Sequence, residues 1–179
     1  MEITPTLRAT RFAQLKAGEL FIFSNNSASA VALAVADPAQ DGDMGMIPLG
    51  PALAPEMAAR IVGAPGHMAV VSFGGEYIVQ LPSHAGGWSA EVPPPQKPCF
   101  VLSSQGLDPS PQKIYLRTNF APPGAGFRPC YVDIKDGRIL ASGSQYVMPP
   151  GISGYAIEWA LLTKEVEPRV IVSFGPEKV

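Results

Sequence analysis

The chain of 179 residues is 46 % hydrophobic, enough for a buried core in one large domain or two small ones. Its formal net charge is −2, and the 13 Lys and Arg residues are scattered singly. No basic patch is there to neutralise phosphates, so neither nucleic acid nor an acidic membrane surface is expected as a partner.

Charged residues make up 16 % of the chain, against an average of about 25 %. Gly, Pro, Ser and Ala loops, or the surface of a partner, must therefore cover much of the exterior. The 18 glycines and 20 prolines fall between apolar runs throughout. Such punctuation interrupts helices and suits short strands joined by turns, so an all-β fold is expected.

In chain order, Phe12 to Phe23 reads as a turn feeding a strand, Asn25-Asn26-Ser27 as a turn, and Ala30 to Val35 as a second strand. A turn at Asp41-Gly42-Asp43 precedes the apolar piece Met46 to Leu49. Pro51 to Val62 is the one expected helix: Pro55 suits a first turn, Met57 and Ile61 share a face, and Gly63 suits its end. Met68 to Phe73 and Tyr77 to Leu81 are strands on either side of Gly74-Gly75. Residues 83–98, with Gly86-Gly87, Pro93-Pro94-Pro95 and Pro98, read as a stiff connector. It divides the chain into an N-terminal half, 1–82, and a C-terminal half, 99–179. In the second half, Phe100 to Ser103, Ile114 to Thr118, Tyr131 to Ile134, Arg138 to Ala141 and Val170 to Phe174 are expected strands. Tyr155 to Leu162 places large residues at alternate positions and is also expected to be a strand. Asp136-Gly137 marks a hairpin.

Two pairs of strings resemble each other in the same order. Phe12 to Leu20 (FAQLKAGEL) matches Tyr131 to Ile139 (YVDIKDGRI), and Val70 to Glu76 (VVSFGGE) matches Ile171 to Glu177 (IVSFGPE). Either strands drawn from a small alphabet match by chance, or the chain holds a duplication, giving two related barrel-like or sandwich halves. The spacing of Phe12, Leu15, Lys16, Gly18 and Phe21 (F-x-x-L-K-x-G-x-x-F) resembles the start of small, uncharacterised bacterial and phage proteins with SH3-like barrels. The resemblance spans Phe12 to Leu81. It implies an SH3-like fold for the N-terminal half and supplies no catalytic or ligand residue.

Met1 to Lys16 lacks the apolar run of roughly 7–15 residues found in a secretory signal. The apolar stretch from Ala28 to Ala36 is too short to span a bilayer. A cytoplasmic location is expected, with Cys99 and Cys130 as free, buried thiols, although the like strings around them keep a disulfide as the alternative.

No catalytic set emerges. The two histidines, His67 and His84, lie in glycine-rich loops, and no G-x-S-x-G elbow occurs. Asp41-Gly42-Asp43 lacks the later glutamate of a calcium loop, and the cysteines lack zinc spacing, so neither metal nor cofactor is implied. The glycines after Ser72-Phe73 lead into another strand, not the helix a phosphate cradle needs. The expectation is a non-enzymatic binding or structural module acting through a protein partner or self-association. The alternative is a small-molecule or carbohydrate-binding barrel with Tyr77, His84 and Trp88 at its mouth, where an exposed tryptophan serves as a platform. A hydrolase depending on His84 is the third reading.

Overall fold

A computed structural model of the chain describes residues 7–25, 28–37, 43–49, 60–93, 98–103, 113–120, 128–142 and 145–175. Strands β1 (Arg8–Arg11), β2 (Leu20–Asn25), β3 (Ala28–Asp37) and β4 (Asp43–Leu49) come first. They are followed by β5 (Val62–Gly63), β6 (Ala69–Gly74), β7 (Tyr77–Gln80) and β8 (Trp88–Ser89). Next are β9 (Cys99–Ser103), β10 (Lys113–Phe120), β11 (Arg128–Asp133) and β12 (Arg138–Ile139). The short pair β13 (Ala141–Ser142) and β14 (Gln145–Tyr146) leads to β15 (Ile152–Ala156), β16 (Trp159–Thr163) and β17 (Val170–Phe174). Among the described residues the helical pieces are 3-10 turns at Phe12–Gln14 and Ala85–Gly87, so the fold is all-β. No helix among them is long and apolar enough to cross a membrane.

Of the helix expected over Pro51 to Val62, residues 51–59 lie outside the described residues. Its last turn is extended instead: Arg60 bridges Asn119, the Ile61 amide donates to the Asn119 carbonyl at 3.0 Å, and Val62 opens β5. A neighbouring strand satisfies the backbone that a helix would otherwise have satisfied internally.

The large sheet runs β1-β6-β2-β3-β12-β11-β10-β9-β15-β8, with β4 beside β3 and β5 beside β4. Among the described residues it does not close into a barrel, and it runs through strands of both halves. Strand β3 is its hinge point. One edge of β3 pairs with β4 from Val31 to Asp37, and the other pairs with β2 from Ala28 to Leu33. Where the chain before β2 turns away at Gly18, the β11–β12 hairpin takes its place, and the Ala36 amide donates to the Gly137 carbonyl at 2.9 Å.

The β3 sequence shows why it tolerates neighbours on both faces. Ala30, Ala32 and Ala34 face a cluster holding Phe12, Phe21 and Phe23, whose rings fill the space small residues leave. Leu33 and Val35 face the principal core, with Ile47 and Leu49 of β4. That core also takes Phe100, Leu116 and Val132 from β9–β11, Trp159 and Leu161 from β16, and Val172 from β17. Each fully buried Leu, Ile or Phe in it contributes about 1.5–3 kcal/mol by leaving water. Residues on both sides of the 83–98 segment thus share one core, β3–β12 and β7–β16 pair across it, and β8, within it, pairs with β15.

The run from Tyr155 to Leu162 is not one strand. It breaks at Ile157 and Glu158, whose amides donate to the Gly87 carbonyl at 2.9 and 3.3 Å. Strand β15 stays in the large sheet, while β16 begins a second sheet ordered β17-β16-β7. The β11–β12 hairpin does turn at Asp136-Gly137, with Gly137 at φ 67°. The similar strings of the two halves share that turn, since Gly18 also takes a positive φ, of 87°. Elsewhere they differ: Phe12–Gln14 is a 3-10 turn where Tyr131–Asp133 is strand, and β6 lies between β1 and β2 where β17 pairs with β16.

Both cysteines are free and buried. Cys99 stands opposite Arg117 of β10, while Cys130 stands opposite Thr118. Neighbouring residues of a strand point to opposite faces, so the two thiols lie on opposite sides of the sheet and have no route to a disulfide.

Candidate functional site

The three residues expected at a binding mouth sit around the small sheet, and they do not converge. Tyr77 starts β7 opposite Thr163, and its hydroxyl donates to the Ile134 carbonyl at 3.0 Å. Burial, then the charge of Asp133, push that hydroxyl well above the usual tyrosine range. His84 and Trp88 lie beyond the other end of β7. The His84 ring is 61 % exposed, with Nε2 3.1 Å from Glu158 Oε2. The Trp88 indole N–H donates to the Pro82 carbonyl at 3.1 Å, and its half-buried ring packs against the principal core. Trp88 therefore closes a core edge, with Ala156 as its strand partner.

Sequence dictates this loop locally. Gly87 is required where it stands, because a Cβ there would fall 2.3 Å from Cβ of Pro82. The close approach lets the Gly87 carbonyl accept the Ile157 and Glu158 amides, which sets Glu158 beside His84 and starts β16 at Trp159.

The small sheet presents apolar residues to solvent. Its inner face carries Trp159, Leu161 and Val172 into the core, and Trp159 stacks on Phe174 at 5.0 Å. Its outer face carries a cross-strand row, Ile78–Leu162–Val170, fixed by register. Ile78 is 39 % and Val170 62 % exposed, and Val166 in the adjoining turn is wholly exposed. Among the described residues, β17 pairs on one side with β16 and presents its other edge outward. A Lys164–Glu76 ion pair at 3.3 Å, exposed at both ends, lies alongside.

Among the buried charged residues, Arg117 and Asp37 escaped the reading of the sequence. Arg117, 5 % exposed, faces Cys99 and Tyr131, and its Nη1 donates to the Pro93 carbonyl at 3.1 Å. Its Nε has no hydrogen-bond partner among the described residues. The available signal was a cation at an alternate position within an apolar strand. Asp37, 4 % exposed, accepts the Tyr146 hydroxyl at 2.6 Å. Burial pushes the Cys99 thiol up to about 11, with Arg117 pulling the other way. Burial and then the Asp37 charge push Cys130 up to about 12.

Two cavities of about 370 and 400 Å³ flank the large sheet, one against Ile152 and Tyr155, the other against Asp37 and Phe120. Neither is lined by Tyr77, His84 or Trp88. Among the described residues no three His, Cys, Asp or Glu side chains gather as metal ligands. Comparison with known protein families, with characterised proteins and with solved structures finds no match.

Proposed function

We propose that the protein is a non-enzymatic binding or structural module acting in the cytoplasm through protein–protein contact, made by the outer face and free edge of the small sheet. The row Ile78–Leu162–Val170 beside the edge of β17 carries this reading. An edge strand offers unpaired backbone donors and acceptors to an incoming strand, and proteins that avoid such pairing place lysine or proline there. Strand β17 reads Val-Ile-Val-Ser-Phe and carries neither. The resemblance of the N-terminal strands to small bacterial and phage proteins adds a phage-derived structural role as one version.

The test is size-exclusion chromatography with light scattering, with a pull-down using the full chain as bait. A stoichiometric partner or a defined self-oligomer is expected, and Val170→Lys should abolish it with Tm unchanged. A monomer that captures nothing, or a complex indifferent to Val170→Lys, removes the small sheet from consideration.

A further inference from the structure

Strand β15 pairs with β9 from Ile152 to Ala156, but β8 covers its other edge only at Tyr155 and Ala156. Past Ser89 the chain turns off that edge. The Ser89 hydroxyl donates to the Glu91 carbonyl at 2.8 Å, and the Glu91 amide donates back to Ser89 Oγ at 3.2 Å. Among the described residues no strand takes up the vacated edge of β15. The register with β9 slips there, leaving Ser153 as the extra residue of a bulge, a feature that ends or re-aims pairing. The cavity of about 370 Å³ lies at this place, between Ala90, where β8 has ended, and Ile152, Ser153 and Gly154 of β15. Gly154 offers it main chain alone, while Met148, which is 64 % exposed, and Pro149 add an apolar rim. Open main chain beside an apolar rim is the surface that an added strand uses, the main chain for the ladder and the rim for a side chain.

We propose that this open edge receives β17 of a second copy, so that the chain associates head to tail. The inference rests on the small-sheet reading, which supplies β17 as the strand offered. Val170 of the incoming strand, exposed in the single chain, meets Met148 and Ile152. Charge selects this occupant. Arg169, immediately before β17, has a side chain 72 % exposed and only a loose 4.0 Å contact with Glu165. Glu91, next to Ala90 at the cavity wall, is exposed and has no ion pair among the described residues. The strand thus arrives with a cation at its start where the receiving edge has an unpaired anion. Offered strand and receiving edge are different surfaces, so the contact is heterologous, and such contacts build rings or open filaments.

Sedimentation velocity of the full chain, from about 5 to about 500 μM, provides the test. So short a ladder should associate with Kd of about 10–100 μM, and the mean sedimentation coefficient should climb beyond that of a dimer. Val170→Lys disables the offered strand and Met148→Lys the receiving edge, since an edge lysine blocks pairing. Both positions are exposed, so Tm should hold in each variant. Each variant alone should stay monomeric. Mixed one to one, they should form a dimer and nothing larger, because each supplies the surface the other lacks. Should Met148→Lys fail to fold, the charges decide: Arg169→Glu should weaken association about two- to fivefold, and adding Glu91→Arg to the same chain should restore it. A monomer throughout the range, or a mixture no larger than its components, overturns the proposal. Association lost with Val170→Lys but kept with Met148→Lys also overturns it and leaves the small-sheet reading standing. Association indifferent to both variants removes the two together.

Discussion

A methyl group on Gly137 would land 2.0 Å from the Gly18 amide nitrogen, in a residue already at φ 67°. Gly74 provides the control, with φ 83° and nothing within 4 Å of its would-be Cβ. Gly74→Ala should cost only the strain of left-handed backbone, about 1–2 kcal/mol. Gly137→Ala adds a backbone collision and should cost more than about 4 kcal/mol, read as a lower urea midpoint or as failure to fold. Equal effects would show that the Gly18–Gly137 contact relaxes freely. The cysteines give a second prediction at this scale. Their folded values, about 11 and about 12, lie above the ordinary 9.0. The unfolded chain therefore releases these protons first as pH rises, and the linkage slope is negative. Stability should be intact below pH 9 and fall between about 9 and 12. A Cys99→Ala/Cys130→Ala variant should show a shallower alkaline loss in urea titrations, and an unchanged slope would refute the assignment. Chemistry at single positions was the least legible part of the sequence. In the sequence Asp37 is one more carboxylate near a turn and Arg117 one residue of an expected strand, because burial is decided by what covers a residue.

Whole elements were easier to read where their signal is local. The alternation of Ala with Val and Leu in β3, and Asp136-Gly137 between apolar runs, state strand and hairpin without help from distant residues. The break at Ile157–Glu158 is not stated there, because its cause is a carbonyl at Gly87, far away in sequence. Trp88 was ambiguous for the same reason: a tryptophan in a Gly-rich loop is a platform or a plug according to what lies beneath it. The alternation of β3 also carries a prediction. Ala32 is fully buried beneath Phe12, Phe21 and Phe23. Ala32→Leu overpacks that cluster and should cost about 1–3 kcal/mol in thermal or urea unfolding. A neutral or stabilising result would mean that the phenylalanine cluster holds slack.

For the molecule as a whole, the principal core is assembled from both ends of the chain. Leu33, Val35, Ile47 and Leu49 meet Phe100, Leu116, Trp159 and Leu161 there, and none of these is more than 3 % exposed. A fragment ending at Pro93 keeps the phenylalanine cluster and loses the far wall of the larger one. It should show no cooperative thermal transition by circular dichroism, and should regain one when the remainder of the chain is added. A cooperative melt of the fragment alone would establish the N-terminal strands as self-sufficient. The composition break at 83–98 was legible, but strands that pair across it leave no mark in composition.

The placement of β3 has a consequence for synthesis. Its hydrogen-bonding edge at Ala36 waits for Gly137, and its apolar Leu33 and Val35 wait for residues beyond Cys99. At translation speeds of about 5–20 residues per second, the nascent chain spends several seconds outside the ribosome with this ridge uncovered. During that interval the strand that later organises the fold is also the strand most open to capture by a chaperone, or by a second nascent copy on the same messenger.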